Sequence, residues 1–171
     1  CGAKALLVDP ALEENVAAVR ADLNASVYAA VSGSENGALE AALSSITPPA
    51  NDLPLKDSDL AQIMYTSGTT AHPKGEMMSH GAMMAQYQSC ICELDYSSAD
   101  RSLAALPLYH TAQLHAFSMP QLLVGAYARL IESPTPDLVL KTIEEEGITS
   151  FFAPPTVWIS LLRHPDFSKR D

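Results

Sequence analysis

Two short apolar runs, Lys4-Ala-Leu-Leu-Val-Asp9 and Ser26-Val-Tyr-Ala-Ala-Val31, bracket a stretch in which Leu12, Val16, Val19 and Leu23 recur at helical spacing. Strand, helix and strand in roughly thirty residues make a βαβ unit, whose crossover favours a parallel sheet. Asp9 is a residue type that caps a helix, and Pro10 suits a first helical position because its missing N–H costs nothing there.

The same alternation continues. Ser32 to Gly37 reads as a loop, Ala38 to Ser45 as a short helix, and Ile46 to Ser58 as a connector held extended by Pro48, Pro49 and Pro54. Ala61 to Thr66 is the next strand, followed by a polar loop from Ser67 to Gly75 and a short strand from Glu76 to Met78. Ser79 is placed to cap a helix whose apolar face carries Met83, Tyr87, Cys90 or Ile91, and Leu94. Arg101 to Leu106 predicts a strand, Thr111 to Val124 a helix disturbed by Pro120, and Ala126 to Ile131 a strand. A helix then runs from Thr135-Pro136 to Glu146 with Gly147 as its stop, followed by a strand over Ile148 to Ala153 and a helix over Thr156 to Arg163. The expected fold is α/β, with a mixed, largely parallel sheet flanked by helices. Residues 1–58 are expected to be a βαβ segment plus connector and residues 59–171 a loop-bearing α/β segment, with the connector as the candidate boundary.

Composition narrows the function. With 47% hydrophobic and 18% charged residues, the chain has enough apolar surface for a core. Twenty acidic against ten basic side chains leave a net charge of −10, which disfavours a nucleic-acid partner. No apolar run reaches the ~18 residues that a membrane span needs. Cys1, Cys90 and Cys92 are an odd number without disulfide or metal spacing, so reduced thiols in a cytoplasmic protein are expected. The sequence starts at Cys1 with no leader pattern after it, and reads as a mature product or an excised piece.

Chemistry concentrates in Tyr65-Thr-Ser-Gly-Thr-Thr-Ala-His-Pro-Lys-Gly75. Four hydroxyls, on Thr66, Ser67, Thr69 and Thr70, surround Gly68 directly after a strand, and Lys74 and Gly75 close the loop. Hydroxyls and backbone N–H groups can donate to phosphate oxygens, with Lys74 as a mobile point charge. Between Ala61 and Cys92 the only formal charges are Lys74 and Glu76, so the global negative charge lies elsewhere. A Walker A loop is excluded, because five residues rather than four separate Gly68 from Lys74-Gly75 and no hydroxyl follows the lysine. On composition alone, a polar turn without ligand is an equal reading.

Tyr65 through Gly75, continuing to Ser79-His80, resembles the phosphate-loop signature of the adenylate-forming superfamily: acyl- and aryl-CoA synthetases, luciferases and the adenylation domains of peptide synthetases. The family pattern is Tyr-Thr-Ser-Gly-Thr-Thr-Gly, any residue, Pro-Lys-Gly, then Ser-His, and ten of the eleven residues fit. Leu106-Pro-Leu-Tyr-His110 is similar to the Pro-Leu-Phe-His segment of the acyl-CoA ligase branch. Gly147-Ile-Thr-Ser-Phe-Phe-Ala-Pro-Pro-Thr156 is similar to the family's Gly-Val-Thr strand and Val-Pro-Thr turn. Two positions depart from the pattern: Ala71 replaces a glycine, and Glu76 stands where a small apolar residue is usual.

The resemblance implies part of the large N-terminal domain of an enzyme that joins a carboxylic acid to ATP, releases pyrophosphate, and passes the acyl group to coenzyme A. It implies that Thr66, Ser67, Gly68, Thr69, Thr70, Lys74 and Gly75 hold the nucleotide's phosphates and that Thr66 reaches a Mg²⁺ whose carboxylate partner, in the family's downstream Tyr-Gly-x-Thr-Glu segment, is missing from this chain. His110 would act near the substrate carboxylate, with Thr111 and Leu114 bordering the pocket. Without the resemblance, His110 reads better as a cap on the next helix. His115 reads as structural and His80 as support for a helix start. A histidine at position 110, where peptide-synthetase domains carry Asp, disfavours an amino-acid substrate and leaves an acyl-CoA ligase, of fatty-acid type, as the expectation. Another adenylate-forming activity, or a non-catalytic nucleotide-binding module, stays open. The family's downstream Tyr-Gly-x-Thr-Glu segment, its ribose-binding Asp and its C-terminal lysine do not occur in this chain, so the remainder of a parent enzyme is expected as partner and the isolated piece is expected to be inactive.

Overall fold

The computed structural model describes residues 3, 5–8, 12–17, 26–29, 54–66 and 73–170. It divides into two compact units, residues 1–55 and 56–171. In the first, β1 (Ala5–Val8) and β2 (Ser26–Ala29) pair in parallel, Ala5 beside Ser26 and Val8 beside Ala29, with α1 (Glu13–Ala17) between them in sequence. That is the expected βαβ pairing. The far end of its helix, the loop from Ser32, the helix from Ala38 and the connector as far as residue 53 lie outside the described residues.

The second unit opens with an antiparallel hairpin of β3 (Leu60–Thr66) and β4 (Lys74–Ser79). The strand that was expected to begin at Glu76 begins at Lys74, because Thr66 pairs with Lys74 and Tyr65 with Gly75. Both residues looked like loop because they are polar or small. An antiparallel pair with a solvated face accommodates such residues within a strand. Ser79 ends the hairpin and caps α2 (His80–Glu93), its hydroxyl accepting from the Ala82 amide at 3.3 Å. The His80 and Gly81 amides donate to the carbonyls of Asp59 and Asp57, which fastens the helix start to the base of the hairpin.

A three-stranded parallel sheet follows in the order β6–β5–β7, with β5 (Arg101–Ala104) in the centre, β6 (Tyr127–Leu130) and β7 (Ser150–Phe151). Leu103 is 1% and Ser102 4% exposed, as befits a strand covered on both faces. α4 (Pro136–Glu146) and α5 (Pro155–Leu162) bring Val139, Leu140 and Leu161 onto Leu103 and Ala105 to form the core. α4 starts after Thr135 with proline in its first turn and stops at Gly147 in the left-handed region, φ 58°. There the Ile148 amide donates back to the Ile143 carbonyl at 3.0 Å. β7 is shorter than the run Ile148 to Ala153 suggested, since Pro154 lacks an N–H and the Thr149 side chain already binds the Arg101 amide at 2.9 Å.

The expected helix over Thr111 to Val124 is two pieces, a π-helical segment (Ala112–Ser118) and α3 (Met119–Leu123). Pro120 is the cause. Having no N–H, it cannot bond the carbonyl of Ala116, and its ring would crowd that carbonyl. The preceding turns widen, the Met119 amide bonds Leu114 five residues back, and the Ala116 carbonyl accepts from the Tyr96 hydroxyl at 3.4 Å. Burial pushes the Tyr96 phenol up to about 12. The acidic end of α4 is more than a solvated terminus. Glu146 takes Tyr127 Oη at 2.8 Å and Arg129 Nε at 3.1 Å, and Glu144 pairs with Arg170.

Candidate active site

Strand alternation sorts the hairpin. Met64, Thr66, Lys74 and Glu76 are cross-strand partners on one face, while Ile63, Tyr65 and Gly75 occupy the other. On that second face a Cβ at Gly75 would stand 2.9 Å from Ile63 Cγ2 and 3.3 Å from the Tyr65 ring. Glycine is therefore required for the pairing that places Lys74 opposite Thr66.

Across from the hairpin, β5 runs into Leu106-Pro-Leu-Tyr-His110. Ligand clefts in parallel sheets open beyond the carboxyl ends of the strands, and this segment leaves the central strand at that end. His110 closes a turn with its amide on the Pro107 carbonyl at 3.1 Å, and its Nδ1 accepts from the Ala112 amide at 3.3 Å. The imidazole thus makes the capping contact that the residue alone suggested. With Nδ1 accepting, the neutral ring carries its proton on Nε2.

Two clefts meet at His110. The first, about 350 Å³, is lined by Met64, Tyr65, Thr66, Glu76, Tyr109, His110 and Thr111. The second, about 270 Å³ and mostly apolar, is lined by Leu106, Pro107, Tyr109, His110, Ala112, Gln113, Phe152 and Pro154. Thr66, His110 and Thr111, drawn from separate parts of the sequence, therefore share one cleft. Lys74 is exposed on the same hairpin face as Thr66. Leu114 is half-buried, one residue past the cleft wall, and its amide donates to the His110 carbonyl at 3.2 Å. Ser67, Gly68, Thr69 and Thr70, together with Ala71, lie outside the described residues.

Gln113 and Pro154 were not singled out in the sequence. Gln113 looks like an ordinary polar helix residue but is 1% exposed, with Nε2 donating to Ser118 Oγ at 3.0 Å. Its signal was its spacing, one helical turn past His110. Phe152 stacks on Phe117 with ring centres 4.0 Å apart, whereas Phe151 packs against the core and Trp158. His115 is buried, its Nδ1 2.7 Å from Tyr87 Oη, and burial holds its pKa below the ordinary value. His80 heads α2. The hydroxyls of Thr66 and Thr111 and the carboxylate of Glu76 are hard oxygen donors in one cleft, a set that fits Mg²⁺. Among the described residues, the other grouping with ligand-like spacing is Asp137, His164 and Asp166. It is engaged internally, His164 Nε2 with Asp137 at 3.2 Å and Asp166 with Lys169 at 2.7 Å.

The sequence profile described as AMP-binding enzyme matches residues 1–171. The chain belongs to that family. A feruloyl-CoA synthase from Amycolatopsis sp is 36% identical over 170 residues, 99% of this chain and 32% of that protein. A long-chain-fatty-acid–CoA ligase of Bacillus subtilis (strain 168) is 31% identical over 117 residues, 67% of this chain and 21% of the ligase. Among solved structures, ATP-bound MatB from Rhodopseudomonas palustris superposes with a TM-score of 0.82 at 28% identity, over 95% of this chain and 32% of that one. The AMP-binding fold is therefore the α/β fold expected, and the chain spans about a third of the length of the relative matched over nearly its whole extent. Among the described residues no helix is long and apolar enough to cross a membrane.

Proposed function

We propose that this chain supplies the phosphate-gripping wall and part of the acid-binding wall of an ATP-dependent acid–thiol ligase. The reaction is carboxylate plus ATP to acyl-adenylate plus pyrophosphate, then acyl transfer to coenzyme A with release of AMP. The observation that carries this reading is His110, which borders both the cleft of Thr66 and Thr111 and the apolar cleft of Phe152. Attack of a carboxylate oxygen on the α-phosphorus needs the two substrates held together and the developing charge neutralised, and little else. Thr66 and Thr111 donate hydroxyls to phosphate oxygens, and Lys74 brings a positive charge from the same hairpin face. His110 donates from Nε2 to the carboxylate or to the adenylate that replaces it. Thr66 would hold Mg²⁺, which when bound neutralises phosphate charge. Ser67, Gly68, Thr69 and Thr70 complete the phosphate loop in this reading, Leu114 backs the pocket wall, and Gly75, expected in that loop, instead sits in β4 on the opposite face, where it sets the pairing that positions Lys74.

The acid is apolar at its far end, since Leu106, Pro107, Phe152 and Pro154 line that cleft. The relatives named for feruloyl and for long-chain fatty acids support both an aryl and an alkyl acid. We assign the reaction to the cytoplasm, where ATP and coenzyme A are supplied; the free thiols Cys90 and Cys92 fit a reducing compartment. The test is acid-dependent ATP–pyrophosphate exchange by a protein carrying this chain at its relatives' full length. Lys74→Ala lowers the exchange rate by about 10²–10³-fold, the usual loss of one charge-stabilising donor. An unchanged rate refutes the phosphate role. A second reading, nucleotide binding without turnover, is favoured by the Glu76 carboxylate in the phosphate cleft, and predicts ATP binding with no exchange for any acid.

A further inference from the structure

Glu76 departs from the family pattern, and its position makes the departure consequential. It pairs with Met64 across the hairpin, shares the face of Thr66 and Lys74, and lines the cleft bounded by Thr66, His110 and Thr111. Lys74 and Glu76 are the only formal charges from Ala61 to Cys92. The hairpin face is therefore formally neutral, and Glu76 cancels the one charge that would draw in a polyphosphate. A carboxylate beside phosphate oxygens is repulsive unless a cation lies between them. The same cleft offers the Thr66 and Thr111 hydroxyls. One carboxylate, hydroxyl oxygens and the phosphates themselves are the ligand chemistry of a small, hard divalent cation.

We propose that Glu76 is a direct ligand for a divalent cation bridging this cleft to the nucleotide's phosphates, so that nucleotide binding depends on the metal. This rests on the phosphate role proposed above. In this arrangement Glu76 exchanges a repulsive contact for a coordinating one only when the cation is present, and Lys74 alone does not suffice to hold the phosphates.

The experiment uses the protein carrying this chain at its relatives' full length, with Mn²⁺ as a paramagnetic probe of the metal and a non-hydrolysable ATP analogue. Mn²⁺ affinity in the presence of the analogue, and analogue affinity with and without Mn²⁺, are measured for the wild type, Glu76→Gln and Glu76→Asp. Thermal melts establish that each variant is folded; Gln and Glu are nearly isosteric. Outer-sphere losses at metal sites weaken binding on the order of 10–100-fold, so removal of a direct ligand in Glu76→Gln weakens Mn²⁺ by about tenfold or more. Metal-free analogue binding tightens in that variant, and Glu76→Asp retains part of the Mn²⁺ affinity. If the wild type binds metal and analogue together but Glu76→Gln leaves Mn²⁺ affinity unchanged, the ligand role is overturned while the phosphate role stands, whatever happens to metal-free binding. If the wild type binds no analogue with or without metal, the phosphate role falls and this inference falls with it.

Discussion

Gly75→Ala tests how the hairpin holds its functional face. The added methyl would lie 2.9 Å from Ile63 Cγ2 and 3.3 and 3.4 Å from two Tyr65 ring atoms. Carbon atoms pack comfortably at about 3.5–4.0 Å, so Ile63 must retreat by more than half an ångström. Ile63 is branched at Cβ and half-buried, and its χ1 has little freedom to swing. The strands must part instead. Overpacking of this kind costs about 1–3 kcal/mol. Thr66 and Lys74 form the next rung, so the same separation moves the two residues proposed to grip phosphate, and an ångström of misplacement can cost about 10²-fold in rate. Gly147→Ala is the control. Its Cβ meets nothing within 4 Å but is forced to φ 58°, which costs roughly 1 kcal/mol of stability and leaves exchange unchanged. Chemical denaturation and ATP–pyrophosphate exchange on the full-length protein read both effects. The reasoning fails if Gly75→Ala exchanges like wild type, or if Gly147→Ala loses as much rate at equal stability.

Leu161, 1% exposed in the core, loses about 2–5 kcal/mol on truncation to Ala, measurable as a lower denaturation midpoint with unchanged slope. Tyr87→Phe strips the buried His115 Nδ1 of its hydroxyl partner, at a cost of about 1–3 kcal/mol in the same assay. Burial holds His115 below its ordinary value, so the unfolded chain takes up a proton near pH ~6.5 that the folded protein refuses. Its contribution is intact above that pH and declines as pH falls toward the folded value; His115→Gln should flatten the acid limb of a stability–pH profile. The Glu146 carboxylate holds the Tyr127 phenol above its usual range, so Glu146→Gln returns it downward in a spectrophotometric titration.

Most of the strands and helices were legible because periodicity, Ser79, Pro136 and Gly147 each act locally. What escaped depended on partners distant in sequence. Lys74 and Gly75 look like loop until their pairing with Thr66 and Tyr65 is known, and Gln113 looks exposed until its bond to Ser118 and its place beside Phe152 and Pro154 in the cleft wall are known. The widened turns before Pro120 were foreseen only as a disturbance, since the direction of that disturbance is set by which carbonyl loses its amide. In the candidate site, Thr66, His110 and Thr111 were legible through the motifs. That Glu76 faces the same cleft was not, because strand parity around Gly75 fixes its direction.

The hairpin of β3 and β4 is anchored to its helix through Asp57 and Asp59, whereas His110 hangs from the buried strand β5. The two jaws of the cleft are thus mounted on separate supports. Under the function proposed above, substitutions around Phe152 and Gln113 would reshape the acid's lodging without disturbing the grip on ATP, which would leave such a scaffold free to diversify its acids while keeping a common energy source.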